Sequence, residues 1–373
     1  MGYAKELSRL KRCMHLADHC GYDRTTEQLV LANIFNLCPN ISWVEMCAKA
    51  RAAAFNQERA IMDLHFGQEL LRYVVISDPF DMLSVPDPKI FVASHIGGYR
   101  LVVPALIARG LSVTLVVDSQ VADAQQVHLT EQFAAYCAAA QLNPDVLRIR
   151  DTSQAGLLRG MARDLGQGRS LVLYLDGNKG MNTASHDHLV EVEFMGNILA
   201  SRSGIPRVSM MTGAPMVPVS MSRGRKLTEN YMMIGNKISY FCNTNEKFVK
   251  FSLQKLWNGI SEEVSRDISN WEAIRYIHLS MSWAQSAMPN SYDSSRLCFD
   301  KRRYGFVMRN AVGEIFDRKT YKLMKINGRL ADLVSILHEL PERSDVSELG
   351  LDTDVMAWLS QRSLLVSLDG LPT

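Results

Sequence analysis

Between Lys89 and Met221 the chain alternates short, mostly apolar runs with stretches of helical period, and this alternation restricts the fold more than any other feature. The apolar runs are IFVAS at 90–94, Ser112–Val117, Val146–Arg150, Ser170–Leu175 and Met216–Met221. Runs apolar on both alternating faces belong to strands covered above and below, as in a parallel sheet. Between them a helix carrying Leu101, Leu106 and Ile107 closes at Gly110, and further helices are predicted near 124–141 and around 154–165. After Asp176 the pattern predicts a short strand at Val190–Phe194, a helix over 197–212, and then the strand that TGAP introduces. The expected fold is α/β, a largely parallel sheet flanked by helices, with ligands gathering at the carboxyl ends of the strands.

On either side the pattern changes. Apolar positions recur at three and four in Leu29, Leu31, Ile34 and Leu37, in Trp43, Met46 and Ala50, and in Ile61, Leu64 and Leu71, which predicts an N-terminal helical section over 1–80. The α/β domain then occupies 81–285, and helices return near 246–284. The polar stretch at 286–297 reads as a linker. Beyond it, alternating segments at 304–311 and 320–327, helices carrying Leu330–Leu337 and Val355–Leu359, and a last strand at 364–368 predict a small α+β module over 298–373.

Composition excludes several classes. A chain of 373 residues with 47% hydrophobic and 21% charged residues can bury a large core and is not a disordered or fibrous one. A net charge of +2 is too even for wholesale nucleic-acid binding. The seven cysteines are scattered without a C-x-x-C pair, which predicts reduced thiols in a cytoplasmic setting. The charged start, MGYAKELSRLKRC, does not read as a signal peptide, and no apolar run is long enough for a transmembrane segment.

The strongest local signal is SHIGGYR at 94–100, placed directly after the first parallel strand. His95, the residue there that titrates near neutral pH, sits where a bound ligand is expected, and Gly97 and Gly98 permit close backbone approach. A strand-end histidine satisfied by a backbone carbonyl is the plainer alternative. Arg202, Gly204 and Arg207 in SRSGIPR lie at the start of a helical stretch suited to a phosphate or an oxyanion, with a helix cap by Ser201 or Ser203 as the plainer reading. His186, Asp187, His188, Glu191 and Glu193 fit no familiar zinc spacing, and Cys13, His15, His19 and Cys20 spread over more than one helix face. No metal is expected. GNKG at 177–180 is too short for a phosphate-binding P-loop, and no G-x-S-x-G elbow is present.

HIGGYR, the strand ending at Asp118, LYLDGNKG at 173–180, VEVEF at 190–194, SRSGIPRVSMMTGAPMVPVS at 201–220 and NWEAIRYIHLSM at 270–281 together resemble the lipid A late acyltransferases. That family belongs to the glycerophospholipid acyltransferase superfamily, and the resemblance covers roughly residues 60–285. It implies that His95 is the general base, taking a proton from the acceptor as it attacks an acyl thioester. The family pattern H-x4-D/E places an orienting carboxylate five positions later; here that position is Arg100. The family's arginine at the end of the second strand is matched by Asp118, so the two charges look exchanged, and an Arg100–Asp118 pair is expected. A guanidinium about 5 Å from the ring would disfavour the imidazolium by roughly 3 kcal/mol at an effective dielectric of about 20. Three outcomes stay open: Asp176, matching a family acidic residue, orients His95; the acceptor is an amine, less dependent on a strong base; or catalysis is lost and binding kept.

The last 75 residues resemble PqqD-like winged-helix modules, which implies a peptide added to an exposed ribbon edge. A plain α+β appendage for dimer contact is the alternative. The two resemblances together imply a cytoplasmic acyltransferase of specialised metabolism with no bound cofactor. Its donor substrate would be an acyl-phosphopantetheine on a carrier protein or acyl-CoA, and its acceptor an amine or a hydroxyl. The competing expectation is a catalytically degenerate relative that binds a carrier protein or peptide.

Overall fold

The computed structural model describes residues 2–16, 23–118, 131, 137–138, 144–177, 188–241, 244–283, 296–309 and 312–371. It divides into two compact units. The first comprises Met1–Asp18 and Ala53–Ser282, the second His19–Ala52 and Trp283–Thr373. The helices α1 (Tyr3–Leu16), α2 (Arg24–Leu37), α3 (Trp43–His65) and α4 (Gly67–Leu71) fill the first seventy residues, and the division between units falls within α3.

The first unit is built on a seven-stranded sheet. Its strands are β1 (Val74–Ser77), β2 (Ile90–Ala93), β3 (Val113–Val117), β4 (Leu147–Asp151), β5 (Ser170–Tyr174), β8 (Met216–Arg223) and β9 (Asn230–Ile234), in the order β1-β9-β8-β2-β5-β3-β4. From β8 to β4 all pairs are parallel; β9 runs antiparallel to β8 and carries β1 parallel to itself. Mixed α/β architecture with a largely parallel sheet is therefore what the apolar runs encode. Every residue of β2 is buried, as a central strand requires. One face, with Phe91, Ala93, Leu115, Val172 and Val219, packs in a core with Tyr3 and Leu7 of α1, Leu70 of α4 and the helix α5 (Val102–Ala108). α6 (Leu157–Gly166) packs on β5 and against α7 (Gly204–Thr212).

The segment after Asp176 departs from expectation. The run at 190–194 extends to β6 (Leu189–Phe194) and does not join the main sheet; it pairs antiparallel with β7 (Asn197–Arg202), which pairs in turn with β10 (Met281–Ser282). The helix expected over 197–212 is thus a strand followed by a nine-residue helix. Met195 and Gly196, with φ of 49° and 75°, form the tight hairpin turn that starts β7, and a non-glycine at positive φ has no simple sequence signature. The helix expected to run to 284 ends sooner: α8 (Asn245–Arg266) gives way to three short 3₁₀ turns between Ile268 and Leu279.

The second unit holds α2, the start of α3, a three-stranded antiparallel sheet of β12 (Tyr304–Arg309), β13 (Val312–Asp317) and β14 (Lys322–Asn327), and a two-stranded pair of β11 (Leu297–Phe299) with β15 (Leu365–Ser367). α9 (Arg329–Glu339) and α10 (Thr353–Gln361) complete it, around a core that includes Phe299, Tyr304, Ile315, Val334, Leu337 and Leu359. The expected two-segment ribbon is a three-stranded meander, because β13 also pairs with both neighbours. The helix expected near 124–141 and the linker at 286–297 lie largely outside the described residues.

Candidate active site

His95 comes two residues after β2, and Asp176 two residues after β5, the strand paired beside β2. Parallel neighbours deliver both residues to the same end of the sheet, the arrangement that lets two positions 81 residues apart meet. The Nδ1 atom of His95 lies 2.8 Å from Oδ1 of Asp176. The backbone N–H of His95 also donates to that carboxylate, at 3.0 and 2.9 Å to its two oxygens. Because an ionised carboxylate only accepts, Nδ1 carries the proton and the lone pair is left on Nε2.

Asp176 is completely buried, and the His95 side chain is 19% exposed. Trp271 donates its indole N–H to Asp176 Oδ2 at 2.7 Å, and Tyr276 donates its hydroxyl to the Asp176 backbone carbonyl at 3.1 Å. The 3₁₀ segment containing these residues is fastened to the His95 loop along its backbone. Gly97 N–H donates to the Asn270 carbonyl, Glu272 N–H donates to the His95 carbonyl, both at 2.9 Å, and Ile96 bridges to Trp271. Two tyrosines flank the imidazole, Tyr99 edge-on at 4.7 Å and Tyr174 tilted at 4.5 Å between ring centroids. Tyr99 donates to Glu272 at 2.6 Å and Tyr174 to the Tyr99 carbonyl at 2.9 Å. Burial holds both phenols above their ordinary range, so they stay protonated donors.

The charge balance settles the expected effect of Arg100. Burial disfavours the imidazolium of His95, but the charge and hydrogen bond of Asp176, with help from Glu272, outweigh it and raise the pKa above 6.5. Arg100 pulls the other way, as expected, and is the smallest of these influences. Its guanidinium lies over the Tyr99 ring, 5.2 Å from the centroid. The depressed base foreseen from H-x4-R is therefore corrected: a carboxylate from a neighbouring strand more than offsets the misplaced cation.

The remaining expected residues are distributed as follows. Gly97 has φ +61°, and a Cβ there would stand 2.2 Å from the Met221 backbone oxygen; at Gly98 it would stand 2.5 Å from Asn230 Oδ1. Those spaces are occupied by β8 and β9 themselves, which gives the two glycines a packing reason to be glycine. Asp118 directly follows β3 and is partly exposed. Arg202 ends β7, Gly204 begins α7, and Arg207 lies in its first turn, both arginines being exposed. α7 ends four residues before β8 starts. The capping alternative is met in position only: Ser203 is the N-cap residue of α7, but its hydroxyl donates to the His188 carbonyl and makes no capping bond, while Ser201 accepts from the Trp257 indole. His186 and Asp187, and most of GNKG, lie outside the described residues, as do His19 and Cys20.

Trp271, Glu272 and Tyr276 are site residues that the sequence reading quoted within a motif without giving them a role. Their signal was the aromatic-acidic cluster WEAIRY, and only the fold brings it to Asp176.

No protein-family model matches the chain, and no curated protein is found to be similar. Among solved structures the chain is similar to the 1-acyl-sn-glycerophosphate (LPA) acyltransferase PlsC from Thermotoga maritima, at 14% identity and a TM-score of 0.33, over 63% of this chain and 94% of that one.

Proposed function

We propose that this chain is an acyltransferase that moves an acyl group from a carrier-protein or coenzyme A thioester to an amine or hydroxyl acceptor. The observation that carries the reading is the His95 Nδ1–Asp176 contact at 2.8 Å, with Asp176 held fully buried. It is the arrangement of a general base, and the motif resemblance to the lipid A late acyltransferases gives that base its chemistry. The acceptor N–H or O–H attacks the thioester carbonyl carbon as His95 Nε2 takes its proton. The new C–N or C–O bond forms, the C–S bond breaks, and the imidazolium returns the proton to the departing thiolate. Asp176 holds the ring in the working tautomer and stabilises its cation, while Trp271 fixes the carboxylate. Arg202, Gly204 and Arg207 are proposed to hold donor or acceptor phosphate or the oxyanion, with Arg100 and Asp118 around the acceptor side, while Gly97 and Gly98 let the His95 loop pack closely on β8 and β9.

An amine acceptor fits a site whose carboxylate position is Arg100, since a neutral amine needs its proton removed mainly after attack. The same residue favours the second reading, a degenerate relative that binds a carrier protein or peptide. In that reading, as in the first, the edge strands of the β12–β14 sheet would offer pairing to a guest peptide. Incubating the protein with acyl-CoA or acylated carrier and candidate acceptors, then measuring intact masses, tests the proposal. An acylated acceptor formed by the parent supports it. Binding of an acyl carrier without any turnover favours the second reading.

A further inference from the structure

α8 buries Phe248, Val249, Ser252, Leu253, Leu256, Trp257 and Ile260 along one face. Its opposite face is made differently. Phe251 is 47% exposed, and beside it Phe241, at 60%, packs ring against ring at 5.0 Å. Tyr240, at 43%, lies edge-on to Phe248. Lys247, Lys250 and Lys255 are exposed at helical spacing alongside Phe251, and Lys237 is exposed just before the turn. From 237 to 255 the only acidic residue is Glu246, and from β6 the exposed Glu193 joins its backbone to Gln254 beside the lysines.

We propose that this face of α8, with Tyr240 and Phe241, docks on an anionic lipid surface. Exposed phenyl and phenol rings are costly in water and settle at the level of lipid headgroups, where flanking ammonium groups reach the phosphates. The mixture of residues chooses the occupant. Protein interfaces favour aromatic residues but are poor in lysine, whereas helices lying on membranes combine both. A second copy of the chain would bring lysine against lysine. The helix lies in the plane of the surface and inserts only its rings, consistent with the absence, among the described residues, of a helix long and apolar enough to cross a membrane. Tyr240 and Phe241 follow Ile238, which bridges to Met216, the first residue of β8, at the sheet end opposite His95; farther along, Trp257 of α8 packs on Phe194, which packs on Trp271. The proposal does not draw on the acyl-transfer reading.

Co-sedimentation of the full chain with phosphatidylcholine vesicles, and with vesicles that also contain phosphatidylglycerol, tests it. Binding is expected to the anionic vesicles alone and to weaken with added salt. Replacing Lys247, Lys250 and Lys255 together by Gln lowers partitioning by about a hundredfold, at roughly fivefold per lysine. Phe241→Ser with Phe251→Ser also lowers it, while the thermal melt stays that of the parent; if the melt moves, the single Lys→Gln variants carry the comparison. Equal binding to both vesicles, no binding, or binding that these substitutions leave unchanged overturns the proposal. So does loss of an acidic protein partner on the same substitutions in a chain that ignores vesicles.

Discussion

Asp176, fully buried, accepts from the His95 backbone, the His95 ring and the Trp271 indole, while the His95 side chain keeps 19% exposure. A carboxylate so held orients the imidazole and raises its pKa above 6.5, so the sign of the pH dependence follows. The free base is the working form, and activity rises as pH passes the elevated value. The same pairing stabilises the fold fully below the unfolded histidine pKa of about 6.5, and this contribution is lost as pH rises through the folded one. Titrating ¹⁵N-labelled imidazoles by NMR should find His95 protonated at Nδ1, with a pKa above the free value that drops in Asp176→Asn. A ring protonated at Nε2, or a pKa below the free value, contradicts the assignment. Trp271→Phe keeps the ring and removes one donor to a buried carboxylate, which should cost about 1–3 kcal/mol in urea denaturation. It should also slow turnover more than it raises KM, and unchanged kinetics would limit Trp271 to packing. Whether Arg100 and Asp118 act as a pair is answered by reversing each charge and then both, additive effects counting against coupling.

The loop between β2 and α5 depends on Gly97, whose positive φ and contact with the β8 backbone leave no room for a side chain. Gly97→Ala should destabilise the protein by at least about 2 kcal/mol. Gly168 also has positive φ, at 80°, but open space around it, so Gly168→Ala should cost about 1–2 kcal/mol at most. Equal costs, measured by urea denaturation, would show that the close approach to Met221 contributes nothing. Elements with a strong local pattern were legible from the sequence. The runs that became β2, β3, β5 and β8 are apolar because both faces are covered, and that is written in their composition; β4 is the edge strand and carries Arg148 and Arg150 between its apolar residues. β7 was not legible: Asn197–Arg202 owes its extended form to pairing with β6 and β10, and its local sequence reads as helix. The turns at Ile268–Leu279 were misread for a similar reason, since backbone bonds to the distant His95 loop set their geometry.

At the scale of the molecule, the division into two units takes in contacts that no local pattern announces. Residues 19–52 group with the C-terminal residues, and Arg318 shows how. It is fully buried, donates to the carbonyls of Lys301 and Arg302 and to Gln28 Oε1, and lies 4.9 Å over the Trp43 ring. Arg318→Leu orphans those acceptors and should destabilise the second unit by about 2–4 kcal/mol. Hydrogen exchange read by mass spectrometry should place the lost protection there, and a loss confined to the first unit would refute that. The candidate site is likewise a long-range product. His95 was legible as a strand-end histidine, and Asp176 as its partner through family resemblance. Trp271 and Tyr276, which stand 95 and 100 residues from Asp176, needed the fold. The measurement that bears most directly on the whole account is thiol release from acyl-CoA and acyl-carrier thioesters by the parent protein and by His95→Ala. A parent that turns over and a variant slowed by about a hundredfold or more is the predicted result; a variant as fast as the parent would contradict it.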